Sequence, residues 1–479
     1  SWAISPDGKL YTFKLRQDIS WVIHSPGGET VQVLDEEGEL RFLTAQDFVD
    51  AFRRNCDPRV QTGGWEYPLL GLVKGCQEAN EYADPSNIPQ ALIEAIGIQA
   101  LGEDELLVEL EKPSGYFLSL TSAQTLSAVP QWAIDKYGVA WTNPGNMPTS
   151  GYYVIDEWVP GERIRWLRNS FLPEDMTGTG NVDVIEFALL ENDEDAYALW
   201  QEDQLDYSAI PQDELLTHRV NYARETTQVF EQYVGYIVFQ MQEPPFDNVH
   251  LRRAFAAAFD RAAYINDVME GQGLMMKHLA PPVIFGAPPI DKVGVGYDVA
   301  YALEELTEAG YPNCQGMPEV TFWLTPSRNK PEMRDIVRDW EENLNCPEGT
   351  ITIVPDIVSG LDMWFPGWIS DYPDENDWVG TVLSCENNPT FLVRSCNEID
   401  YLIELAAQEV NIEKRIELYT QIEEAFFGEE GEFPLIPVRW VSYYSADHTW
   451  LERTQSVMGR EIFYNWIVDM DAKLEAMGQ

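Results

Sequence analysis

"EVTFWLTPSRNKPEMRDIVRDWEENLNCPEGTITIVP", Glu319 to Pro355, carries the alternation on which the fold turns. "VTFWLT" reads as a strand, "PEMRDIVRDWEENL" as a helix and "TITIVP" as a second strand, which makes a βαβ unit and so an α/β lobe. Upstream, Asp247 is placed to cap a helix whose apolar Leu251, Ala254, Phe255, Ala258 and Phe259 recur at helical spacing. A helix over 298–309 is stopped by Gly310 and Pro312, and another covers 413–427. "FPLIPVRWVSYYS" then reads as an apolar, aromatic strand.

The first half is different, because short strands dominate it. "KLYTFKLR" (9–16) alternates with period two, and Thr44 with Asp47 forms a capping-box start for the helix in "LTAQDFVDAFRR", which sets Phe48, Ala51 and Phe52 on one face. Leu106 to Leu110 is a strand, residues 22–42 form an extended hairpin or loop, and 151–169 are two strands joined at Pro160-Gly161. A chain of 479 residues exceeds one compact core, so two or three domains are expected, with the best cut at the Gln242-Glu243-Pro244-Pro245 punctuation.

Eighty acids against 31 bases give a formal charge of −49, a field that repels polynucleotides and anionic head groups. No nucleic-acid partner is expected, and the acids read first as a solubilising surface. Six cysteines without C-x-x-C spacing suit disulfides made outside the cytoplasm; fifteen connectivities are open, and sequence-near pairing would join Cys56 with Cys76, Cys314 with Cys346, and Cys385 with Cys396. No apolar run reaches the length of a membrane span. The chain opens directly in strand-like sequence, so a leader has been removed or the sequence begins inside a domain.

Catalytic supports are missing. The five histidines are scattered, and Walker, G-x-G-x-x-G and G-x-S-x-G motifs do not occur, so neither a metal centre nor a cofactor is expected, and the chain reads as a non-enzyme. Acid pairs such as Glu191 with Asp193 to Asp195 read as a solvated face, and the acids of "DYPDEND" miss the spacing of a calcium loop. Aromatic density stands out instead: "GGWEY", "YVGYIVF", "MWFPGWISDY" and "RWVSYYS" concentrate stiff contact area that serves either core filling or a binding cleft.

Six stretches in order resemble the extracytoplasmic solute-binding proteins of oligopeptide/dipeptide-type ABC importers, family 5. They are "DGKLYTFKLRQDISW", "LTAQDFVDAFRR", "SGYYVIDEWVPGERIRWLRN", "PPFDNVHLRRAFAAAFDRAAYI", "ALEELTEAGYP" and "GWISDYPDENDW". The resemblance implies an α/β, two-lobed periplasmic-binding-protein-like fold of class II type with hinge strands between the lobes. Residues 1–147 would form an extra β-rich domain of lobe 1, 148–238 plus 446–479 its hinge-side part, and 239–445 lobe 2. It implies an extracytoplasmic location, a monomer in solution, and two partners, a peptide or other small solute and an ABC importer permease. By the family pattern Asp371 holds a peptide's α-ammonium and Trp368 lines the cleft; Tyr372, Trp364, Tyr236, Trp65, Tyr67, Trp440 and Tyr443 are expected beside them as ligand contacts.

Three features depart from the pattern. The family begins with further strands, residues 22–42 carry an insertion, and Phe365 stands where some relatives place a base that helps hold peptide carboxylates. A short peptide leads; an oligosaccharide stacked on the tryptophans and a surface scaffold that reuses the fold stay open as alternatives.

Overall fold

A computed structural model of the chain describes residues 1–60, 67–326, 328–356, 360–386 and 392–478. They divide into two compact units: residues 1–226, 445–456 and 460–479 form the first, and residues 227–444 with 457–459 the second. The Gln242–Pro245 punctuation falls inside the second unit, just after the strand Thr226–Phe239.

In the first unit, four antiparallel strands lie in the order Trp2–Ile4, Leu10–Lys14, Glu105–Glu109, Ile98–Ala100. The helix Ala45–Cys56 starts at the expected capping box, with the Thr44 N–H donating to Asp47 Oδ2 at 2.8 Å, and buries Val49, Ala51 and Phe52. A disulfide ties its last residue, Cys56, to Cys76. Residues 22–42 hold the expected hairpin, Val22–His24 against Thr30–Gln32. Tyr153–Val159 and Arg163–Arg168 pair around Gly161, whose φ of 78° supplies the left-handed turn residue, and Val184–Ala188 completes that sheet.

The second unit is built on one mixed sheet. Leu435–Asp447 lies beside Thr226–Phe239, then Met363–Trp364, Val320–Trp323 and Ile351–Val354. Val320–Trp323 and Ile351–Val354 are parallel, with the helix Pro331–Asn343 as the crossover, which is the expected βαβ unit. Its Trp340 is fully buried, edge-on to Phe255 and Phe259, with Nε1–H donating to the Phe255 carbonyl at 2.9 Å. One expectation shifts by a residue: the helix Val249–Ala258 is capped by Asn248 rather than Asp247, because the Asn248 side chain accepts the His250 N–H at 3.0 Å. Cys314 with Cys346 and Cys385 with Cys396 form the other two disulfides, so all six cysteines pair with their sequence neighbours. Among the described residues no helix is long and apolar enough to cross a membrane.

Candidate functional site

The short strand Gly367–Ile369 pairs antiparallel with the middle of Thr226–Phe239, setting Val234 opposite Trp368 and Gly235 opposite Gly367. Gly367 has no side chain for a concrete reason. The ring of Tyr233 lies where a Cβ would stand, so any larger residue there would collide with it. The segment that follows, residues 370–378, holds the acids of "DYPDEND", which miss the spacing of a calcium loop. In the structure Asp374, Glu375 and Asp377 have 0% exposure.

Asp377 and Asp374 each hold named partners. Asp377 Oδ2 accepts the backbone N–H of Asp371 at 2.8 Å and the indole N–H of Trp368 at 3.3 Å, so one carboxyl group orients both residues. Burial pushes the Asp377 carboxyl well above the usual range, and nearby Asp371 adds to the shift. Asp374 pairs with Arg415 Nη2 at 3.0 Å and accepts the Tyr419 hydroxyl at 3.2 Å, while Arg415 lies 4.5 Å over the Phe285 ring. Burial, reinforced by Glu423, pushes Glu375 well up into its neutral form. Glu423 stays below its usual range despite its own burial, because His278 lies 3.6 Å away and the Ala280 N–H donates to it at 3.0 Å. The helix Ile412–Phe427, which carries Arg415, Tyr419 and Glu423, thus braces the loop from behind, and a shell of this kind holds a binding group in a fixed geometry.

The aromatic residues separate into two groups. Trp364 and Trp368 are half-buried on neighbouring short strands, and Asp371 is half-buried just beyond. Tyr372 is buried, its hydroxyl accepting from Asn376 Nδ2 at 3.0 Å, and Tyr236 is fully buried in the core of the second unit. Trp440 is largely buried against Phe230, with Nε1–H on the Glu231 carbonyl at 2.6 Å; Tyr443 is half-buried on the same strand. Trp65 lies outside the described residues, and Tyr67 opens the single turn Tyr67–Leu69 in the first unit. Trp364, Trp368 and Asp371 are therefore brought together on one short stretch, whereas Tyr236 and Tyr372 point their bulk into the protein.

Sequence reasoning missed the bases. Arg328 follows the strand Val320–Trp323 and lays its guanidinium 4.5 Å over the ring of Phe365. It donates to the Phe365 carbonyl through Nη1 and to the Tyr233 hydroxyl at 3.2 Å through Nη2. A cation from another element thus rests on the face of the Phe365 ring. Arg439, on the strand Leu435–Asp447, is the second, donating to the Gln272 carbonyl at 2.6 Å. The scarcity of bases was the usable signal, since any arginine beside an aromatic cluster stands out in a chain this acidic.

Trp364, Trp368 and Asp371 thus lie along one short stretch of the second unit, with Arg328 and Arg439 on other elements of the same unit. A family model described as "Bacterial extracellular solute-binding proteins, family 5 Middle" matches residues 1–390, and the chain belongs to this family. It is 26% identical over 450 residues to the periplasmic oligopeptide-binding protein OppA of Escherichia coli, covering 91% of this chain and 77% of that protein. It is 25% identical over 450 residues to the probable deoxycholate-binding periplasmic protein YgiS of the same organism, covering 91% and 78%. Among solved structures, the periplasmic murein tripeptide binding protein MppA in its unliganded open form superposes with a TM-score of 0.78 at 19% identity, over 98% of this chain and 87% of that one. Haemophilus influenzae OppA in complex with RPPGFSPFR gives 0.68 at 20%, over 98% and 89%. The structural likenesses establish the periplasmic-binding-protein type of fold.

Proposed function

We propose that this chain captures short peptides outside the cytoplasm and delivers them to an ABC importer, binding them without chemical turnover. The observation that carries the reading is the placement of opposite charges about one short strand. Asp371 follows Gly367–Ile369 and is oriented by Asp377, while Arg328 is anchored at Phe365 just before it. A zwitterionic peptide matches that order, its ammonium on Asp371 and its carboxylate on Arg328, because charge-assisted hydrogen bonds discriminate best at fixed, partly buried groups. Trp364 and Trp368 supply apolar walls. The chain passes from one unit to the other within the long strands Thr226–Phe239 and Leu435–Asp447. The names of the oligopeptide- and dipeptide-binding relatives support the solute class.

Calorimetric titration with trialanine tests it. The protein as given should bind, Asp371→Asn should weaken binding by about ten- to a hundredfold, the range expected when a charged hydrogen bond is lost, and N-acetyl-trialanine should lose as much. Undiminished affinity in the variant removes the anchor role. Failure of every peptide, with hexose-spaced masses released from the purified protein in native mass spectrometry, replaces peptides by sugars.

A further inference from the structure

The two arginines of this site stand in a chain where acids outnumber bases 80 to 31, yet among the described residues neither has a carboxylate within ion-pair distance. Arg328 donates through Nη1 to a backbone carbonyl and through Nη2 to a phenol, and Arg439 donates to a backbone carbonyl. They are neighbours: the Arg439 stem and the Phe365 ring that carries Arg328 both abut Gly235, and Tyr264 packs on Phe365 at 5.5 Å. Burial works against the charge on Arg439, and Arg328 works against it further. Glu231 is the nearby acid, and burial raises it toward its neutral form. Two like charges held close, Arg439 largely and Arg328 partly out of water, with no carboxylate at ion-pair distance among the described residues, leave an electrostatic deficit that an anionic ligand fills.

Building on the peptide reading above, we infer that the preferred solute carries two carboxylates, the terminal one on Arg328 and a second, from an acidic side chain, on Arg439. Arg439 is then a specificity-determining residue. A single terminal carboxylate satisfies one guanidinium and leaves the other unmatched, whereas an acidic peptide matches both, and each guanidinium offers the planar donor pair that a carboxylate accepts.

The test compares isosteric pairs on the full chain, Ala-Glu-Ala with Ala-Gln-Ala and Ala-Ala-Glu with Ala-Ala-Gln, by calorimetry. At least one glutamate peptide should bind about tenfold or more tightly than its glutamine partner, and Arg439→Gln should bring that ratio close to one. Equal affinities within both pairs for the unaltered protein overturn the inference without any variant, while leaving the peptide reading intact. A preference that survives in Arg439→Gln, with circular dichroism showing the variant folded, overturns the assignment to Arg439. If no peptide of the four binds, the peptide reading fails first and the inference falls with it.

Discussion

Asp377 shows how one side chain can matter to binding without facing a solute. Its carboxyl group holds the Trp368 indole and the Asp371 backbone at 3.3 and 2.8 Å, at 0% exposure. Because its folded pKa is raised, it retains a proton where the unfolded chain has lost one, so its contribution to stability is full below the ordinary carboxylate range and declines as pH rises through the folded value. Asp377→Asn keeps an acceptor and removes that titration. The difference in unfolding free energy between variant and parent, followed by urea denaturation across acidic to neutral pH, should move in the variant's favour as pH rises; a difference independent of pH would mean the carboxyl is not shifted. Nothing in "DYPDENDW" announced this role. The string shows acids in a run with a Pro, and the partners of buried Asp374, which are Arg415 and Tyr419, are far away in sequence. That Trp368 and Asp371 lie close together, by contrast, was legible, because both stand in the one short stretch that the family resemblance singles out, and their role in binding belongs to the proposal above.

At the level of elements, the loop depends on the helix Ile412–Phe427, and the Arg415–Asp374 pair is the strongest link between them. Both side chains are withdrawn from water, so removing one partner leaves a bare buried charge. Arg415→Met should cost about 3–5 kcal/mol, and Asp374→Leu placed on top should recover much of it, since an apolar pair needs no compensation. Thermal and urea unfolding of the single and double variants check this, and equal losses in both would show that the pair does not act as a unit. The helix itself was readable from its apolar spacing, as were the βαβ crossover and the hairpin at Gly161, because each is written in local periodicity and turn residues. Which face of Ile412–Phe427 meets which loop is a long-range matter that periodicity does not encode. The misplaced cap before Val249–Ala258 has the same origin at short range: Asp247 and Asn248 are both good caps, and only the geometry shows which side chain accepts the His250 N–H.

Across the whole molecule, a charge of −49 means self-repulsion that salt screens over about 8–10 Å at ordinary ionic strength. Raising sodium chloride from about 10 to 150 mM should therefore raise the midpoint of thermal unfolding, and a midpoint indifferent to salt would show that the acids are locally compensated. The division of the chain carries a consequence of another kind. The second unit is nearly continuous in sequence, whereas the first is assembled from residues 1–226 and two segments after 444, and a small apolar cluster of Trp450, Leu451 and Trp466 from those segments packs against Val182 and Tyr207. On the ribosome, then, residues 1–226 must wait, incomplete, for the segments after residue 444, while the unit encoded between them has nearly all of its residues available earlier.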